Sequence, residues 1–222
     1  MDGIIVVNKE QGMTSHDVVA IVRRKLKMRR VGHAGTLDPL ATGVLVILLG
    51  KCTKFFGRFQ SMDKDYRATL ILGTRTTTAD IQGKIIETKP YQDITEKKIQ
   101  DVMKKFLGNI EQIPPMVSAV KVGGKRLYEL ARKGIEVDRS SRQIRIDQLN
   151  LEAFCPPEVQ FYVRCSKGTY VRKLAEDIGE ALDSAACISK IERTRVGPFH
   201  LENSVKLGDL TEKNIQPPSV TF

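Results

Sequence analysis

The chain has 222 residues, 41% of them hydrophobic and 28% charged, which suits a globular protein of one large domain with at most a small appendage. Its 36 Lys and Arg against 26 Asp and Glu leave a formal net charge of +10, which favours a polyanionic partner, because a cation placed near a phosphate releases condensed counterions. The longest apolar run, residues 44–49, falls far short of the roughly 18 residues that a membrane span needs. The opening Met1-Asp2-Gly3-Ile4 has no basic stretch leading into a long apolar one, so neither a membrane span nor a signal peptide is expected.

Residues 3–7 read as a short buried strand and residues 8–12 as a turn, after which Ser15 is the expected N-cap of a helix. Val18, Val19, Val22 and Leu26 share one face of that helix, and Arg23, Arg24, Lys25, Lys27, Arg29 and Arg30 crowd its later turns. Six cations without an acidic residue among them read as a phosphate-tracking surface, the alternative being a solvated helix end. Residues 32–43 (GHAGTLDPLATG) form a loop, followed by an apolar strand over residues 44–49. Residues 64–72 alternate, with Tyr66, Ala68, Leu70 and Leu72 on one face and Arg67, Thr69 and Ile71 on the other.

A polar loop over residues 73–83 leads to a helix capped by Thr95, carrying Ile99, Val102, Met103, Phe106 and Leu107 and ending at Gly108. Strand-like pieces flank a short basic helical segment at residues 128–134. Residues 144–154 and 159–165 read as paired strands around Pro156-Pro157, Thr169 caps a last long helix, and residues 195–199 close the ordered part. Strands interleaved with a few helices, without strict βαβ alternation, predict an α+β fold with a mixed, largely antiparallel sheet flanked by helices.

The cysteines (Cys52, Cys155, Cys165, Cys187) and histidines (His16, His33, His200) are too dispersed for a zinc site, and no nucleotide-binding fingerprint occurs, so neither metal nor cofactor is expected. The glycine-bearing loop around Asp38 concentrates His33, Thr36 and Asp38 between two apolar elements, which suits either a catalytic carboxylate or an Asp-Pro turn. Tyr66 lies beside Lys64, and Tyr170 and Arg172 follow Ser166-Lys167-Gly168. A tyrosine ring can stack on a base, and an arginine can hold a carboxylate ionised. Equally, Tyr66 can be a half-buried strand aromatic and Arg172 can pair with Glu176 on a helix surface.

Four blocks taken together are more specific: GHAGTLDPLATG at residues 32–43, KDYRATLILG at 64–73, IPPMVSAVKVGGKRLYELARKG at 113–134 and CSKGTYVRKLAEDIG at 165–179. In their order they resemble the motifs of the TruB-type tRNA pseudouridine synthases, and with the opening GIIVVNKEQGMTSHDVV and the closing RTRVGPF the likeness covers about residues 3–199. The resemblance implies the pseudouridine synthase fold, no cofactor, and a cytoplasmic, monomeric enzyme acting on the T-arm stem-loop of tRNA at position 55. It implies that Asp38 is the catalytic aspartate. Tyr66 would stack on the target base, Arg172 would pair with the catalytic carboxylate with Tyr170 in the same pocket, His33 would help displace the base, and Asp80 would belong to a polar active-site motif. It also implies an RNA-gripping, thumb-like insertion at about residues 114–145, with Lys121, Lys125, Arg126, Arg132 and Lys133 joining Arg23, Lys25, Lys27, Arg29 and Arg30 as RNA contacts.

The implied catalytic domain spans residues 1–210, with a tail at 211–222. Bacterial relatives usually add a PUA-type RNA-binding domain, and the 23 residues after Phe199 are too few for one, as in a short variant or a truncated chain. LDSAAC at residues 182–187 departs from the family's G-C-G-A-H pattern. The rival readings are a non-enzymatic RNA-binding module or tRNA chaperone on the same fold, and a synthase acting on another RNA such as rRNA.

Overall fold

The computed structural model describes residues 1–217 apart from 119, 132, 133 and 136. In chain order the elements are β1 (Gly3–Lys9), α1 (Ser15–Lys25), β2 (Val31–His33), β3 (Thr42–Leu49), α2 (Phe56–Gln60), β4 (Lys64–Leu72), β5 (Thr74–Thr76), β6 (Ile85–Thr88), α3 (Glu96–Lys104) and β7 (Gly108–Gln112). They continue with β8 (Lys121–Val122), β9 (Lys125–Arg126), α4 (Leu127–Ala131), β10 (Arg142–Cys155), β11 (Glu158–Cys165), α5 (Val171–Ala181), β12 (Ala186–Val196), β13 (Phe199–His200) and β14 (Val205–Lys206). This is the expected α+β class with a mixed, largely antiparallel sheet. Among the described residues no helix is long and apolar enough to cross a membrane.

The chain divides into two compact units, Met1–Arg67 with Ile191–Phe222, and Ala68–Lys190. In the first, β1 pairs antiparallel with β3 from Gly3↔Leu49 to Lys9↔Gly43, β14 pairs parallel with β1, and β12 runs parallel to β3 at Glu192↔Thr42 and Arg193↔Gly43. Strand β3 (TGVLVILL) is buried almost throughout, as an uninterrupted apolar strand covered on both faces should be. Ile4, Val6, Val44, Val46, Leu48, Phe59, Val196 and Phe199 form a core cluster, each large side chain contributing about 1.5–3 kcal/mol on burial.

In the second unit β4, β11, β10 and β7 lie in that order, β10 and β11 forming the hairpin expected around Pro156-Pro157. The Ser189 hydroxyl of β12 donates to the Thr69 carbonyl of β4 at 3.2 Å. Helix α3 starts at Thr95 as expected and buries Ile99, Val102 and Met103.

Several boundaries differ from the sequence expectation. The N-cap of α1 is Thr14, not Ser15, because Asp17 completes a capping box with it. Helix α1 ends at Lys25, so Lys27, with φ +51°, Arg29 and Arg30 lie beyond the helix rather than on its last turns. Helix α3 stops at Lys104, and Gly108, with φ +86°, opens β7. Tyr170, not Thr169, occupies the N-cap of α5 without a side-chain cap of its own. Order does not close at Phe199: the Ile4 N–H donates to the Gln216 carbonyl at 2.9 Å, and the Gln216 N–H returns to the Ile4 carbonyl at 2.8 Å.

Gly43 sits at φ +95°, where a Cβ would run into the Arg193 carbonyl across the β3–β12 ladder. Gly43→Ala is therefore expected to cost about 2–4 kcal/mol in urea unfolding, combining left-handed strain with a backbone clash. A loss below about 0.5 kcal/mol would contradict this tight junction.

Candidate active site

In the first unit, Asp38 lies on the irregular segment between β2 and β3. Irregular backbone cannot satisfy its own carbonyls through a ladder, and buried carbonyls need partners. Here every carbonyl from Gly35 to Pro39 has one. Arg193 of β12, 1% exposed, donates from Nη2 to Gly35 at 3.1 Å and from Nη1 to Thr36 at 3.3 Å, while its Nε reaches Val44 at 2.7 Å. Ser15, displaced from the capping position, is buried, and its hydroxyl accepts the Leu37 N–H at 2.9 Å and donates to the Leu37 carbonyl at 3.1 Å. The Asp38 carbonyl accepts the Ala41 N–H at 3.1 Å, and the Pro39 carbonyl accepts the Gly12 N–H at 2.8 Å and Lys9 Nζ at 3.5 Å.

Lys9 is fully buried and also donates to the Glu10 and Met13 carbonyls, each at 2.8 Å. Burial pushes its ammonium down to about 8, with the Asp38 charge opposing and that of Arg193 reinforcing the shift. His33 is half-buried, edge-on to His16 with ring centroids 5.3 Å apart. Burial, then the charges of His16 and Arg193, push it down to about 4, so its ring is neutral at pH 7.

Tyr66 is buried on β4. Its neighbours are structural: Lys64 is buried and donates to the Gln60 carbonyl at 2.8 Å and to that of Met62, and Asp65 accepts a two-pronged ion pair from Arg195, both contacts 2.8 Å.

In the second unit, Arg172 is 3% exposed and donates to the carbonyls of Thr78 at 2.6 Å and Val117 at 2.9 Å, with Nη1 3.7 Å from Asp80 Oδ2. This excludes a helix-surface role for Arg172. Glu176 pairs instead with Lys173 at 3.0 Å and with Arg75 at 3.6 Å. Asp80 is buried and accepts from the Thr78 hydroxyl at 2.7 Å and the Gln82 N–H at 3.0 Å. Burial, then the Asp80 charge, pushes the Cys187 thiol up to about 11, which leaves it protonated at pH 7.

Gln112, which the sequence did not single out, brackets the uncapped start of α5: its Nε2 donates to the Tyr170 carbonyl at 3.1 Å, and its Oε1 accepts the Tyr170 N–H at 2.8 Å. The Arg142 guanidinium lies 4.5 Å from the centre of the half-buried Tyr170 ring. Asp38, His33 and Tyr66 thus lie in the first unit, and Asp80, Tyr170 and Arg172 in the second.

Of the expected RNA contacts, Arg23, Lys25, Lys27, Arg29 and Arg30 are all exposed. Arg23 donates to the Val31 carbonyl at 2.8 Å, Lys25 to the Gly208 carbonyl at 2.6 Å and Arg30 to the Thr53 hydroxyl at 2.8 Å. Lys121 sits in β8 and Lys125 and Arg126 in β9, the two strands of one hairpin. Arg132 and Lys133 lie outside the described residues.

Residues 23–171 match the TruB family pseudouridylate synthase N-terminal domain, and residues 172–216 match the tRNA pseudouridylate synthase B C-terminal domain. A Clostridium tetani protein named tRNA pseudouridine synthase B is 47% identical over 216 residues, covering 97% of this chain and 75% of the relative. One of the same name from Heliobacterium mobile is 48% identical, covering 98% and 71%. Among solved structures, a chain of a Cbf5-Nop10-Gar1 complex superposes with a TM-score of 0.76 at 32% identity over 97% of this chain. A chain of an H/ACA RNP bound to a substrate RNA containing 2′-deoxyuridine gives 0.71 at 30% identity over 94%. This chain covers 60% and 52% of those two solved chains.

His33 gives a pH test. The folded state resists its protonation down to about 4, while the unfolded chain protonates near 6.5, so stability is fully present above 6.5 and declines as pH falls toward 4. The contribution is at most about 1.4 kcal/mol per pH unit. His33→Gln should make the loss of urea stability between pH 7 and 5 smaller; an unchanged loss would contradict the buried neutral ring.

Proposed function

The chain belongs to the TruB family of pseudouridylate synthases, and from that membership we propose that it isomerises uridine to pseudouridine at position 55 in the T-loop of tRNA. The observation that carries the reading is Asp38 on a loop whose five consecutive carbonyls, Gly35 to Pro39, are all engaged by the protein itself. A carboxylate held on such a backbone is suited to attack a sugar or base carbon.

The reaction breaks the N1–C1′ bond, turns the uracil and joins C5 to C1′. The hydrogen leaves C5 as a proton and a proton is taken up at N1, so atoms and electrons balance without an oxidant or reductant. Asp38 supplies the nucleophile, at C1′ of the sugar or C6 of the base. The target base must leave its stack, and the Tyr66 ring offers a replacement surface and, through its phenol, a base for the C5 proton. His33, neutral at pH 7, serves as an uncharged group that helps displace the base.

Arg172, Tyr170 and Asp80 take the substrate-binding roles that the resemblance implies, and the Asp80 contact together with those to the Thr78 and Val117 carbonyls fixes the Arg172 guanidinium. Residues 114–145 grip the T-arm stem-loop, and the cations at positions 23–30 track its phosphates. The enzyme works as a monomer in the cytoplasm.

Release of tritium from 5-³H-uridine in a T-arm stem-loop tests the reaction, because C5 must lose its hydrogen. The parent chain should release it and Asp38→Asn should not; no release by the parent would sink the enzymatic reading in favour of an RNA-binding module. Arg172→Ala should lose most turnover, about a hundredfold or more, while RNA affinity largely survives. A collapse of binding with normal turnover of bound RNA would make Arg172 a phosphate contact. Replacing Lys25, Lys27, Arg29 and Arg30 together by Ala should flatten the salt dependence of RNA affinity by about one unit per lost phosphate contact. An unchanged slope would make these cations a solvated surface.

A further inference from the structure

Arg193 is unusual on physical grounds alone. A guanidinium that is 1% exposed normally lies against a carboxylate, because a buried charge without compensation is costly. The three hydrogen bonds of this one all go to neutral main-chain carbonyls, those of Gly35, Thr36 and Val44. These carbonyls are not scattered: Gly35 and Thr36 precede Asp38 and Val44 follows it, so the planar fork spans both flanks of the segment that carries the carboxylate.

The main chain of Arg193 is fixed as well, paired with Gly43 in the parallel ladder, where the glycine's missing Cβ lets the two backbones approach closely. A second buried polar group, the Ser15 hydroxyl, holds Leu37, the residue before Asp38, by both its N–H and its carbonyl. Both groups come from elements remote in sequence, 22 residues away for Ser15 and 157 for the Thr36 contact of Arg193.

We propose that Arg193 is a positioning residue for the isomerisation, holding both flanks of the Asp38 loop so that the carboxylate meets the target nucleotide in one fixed geometry, with Ser15 as its partner on Leu37. The proposal rests on the reading of Asp38 as the nucleophile. Lysine does not replace arginine here, since a single ammonium cannot reach carbonyls on both flanks in the way a planar fork of five donors does. Losing the brace costs the chemical step rather than RNA affinity, because Arg193 is buried and presents no surface to a partner. A displacement of about 1 Å at a reacting group can cost a hundredfold in rate.

The test measures single-turnover rate and RNA dissociation constant on the T-arm stem-loop, at a temperature where circular dichroism shows each variant folded. For Arg193→Lys the rate of the chemical step should fall about tenfold or more while the dissociation constant stays within about twofold. Ser15→Ala, a milder change, should show the same split with a loss of about three- to tenfold. If Arg193→Lys does not fold, Ser15→Ala decides alone. Rates within about twofold of the parent in the folded variants, or losses that merely track the unfolded fraction, would overturn the proposal and leave Arg193 a structural brace. An inactive parent chain would instead overturn the assigned reaction, so the two failures are told apart.

Discussion

The backbone of the Asp38 loop cannot hold itself. From Gly35 to Pro39 it enters no ladder, and side chains of β1, α1 and β12 reach it instead, since a buried carbonyl left unsatisfied costs about 1–3 kcal/mol. Buried polar side chains meet the demand. Arg193 takes two of the carbonyls, Ser15 takes both main-chain groups of Leu37, and Lys9 joins the Gly12 amide on Pro39. The price is two buried cations, and the Lys9 ammonium, lowered to about 8, records part of it. What results is a rigid platform under one carboxylate, with positive charge close by.

The same device recurs in the second unit. The segment between β5 and β6 is closed by its own side chains: the Thr76 hydroxyl donates to the Asp80 carbonyl at 2.6 Å and the Thr78 hydroxyl to the Asp80 carboxylate at 2.7 Å. Arg172 then ties Thr78 to Val117 through their carbonyls. At the start of α5, Gln112 supplies the bracket that a capping side chain would otherwise give Tyr170. In both units a candidate carboxylate, Asp38 or Asp80, sits on a loop segment between strands, and polar side chains from other elements take the place of a ladder.

Much of this was legible in the sequence where the signal is periodic or local. The alternation of residues 64–72, the Thr95 cap and the paired strands around Pro156-Pro157 all appear as expected, because strand alternation, capping and turn chemistry act over a few residues. The four motif blocks marked Asp38, Tyr66, Tyr170 and Arg172 as candidates, and the wider resemblance added Asp80. Local rules missed what depends on distant partners. Ser15 looks like a cap until Thr14 and Asp17 close their box and release its hydroxyl for Leu37. Arg193 opens the closing RTRVGPF stretch, but nothing around it or around Gln112 points to partners that lie 149 to 158 and 58 residues away. Residues 23–30 read as the later turns of a helix, but the helix stops at Lys25 and the chain turns through a left-handed Lys27.

The loop bearing Asp38 is held by buried side chains before any RNA arrives. Native-state amide hydrogen exchange on the free protein tests it most directly, at the Leu37 N–H, which donates to the Ser15 hydroxyl, and at the Ala41 N–H, which donates to the Asp38 carbonyl. Both should exchange slowly, with opening free energies approaching those of the β1–β3 ladder. Exchange at the rate of an unstructured peptide at these two amides, beside a protected β1–β3 ladder, would show that the loop is not held in the free protein.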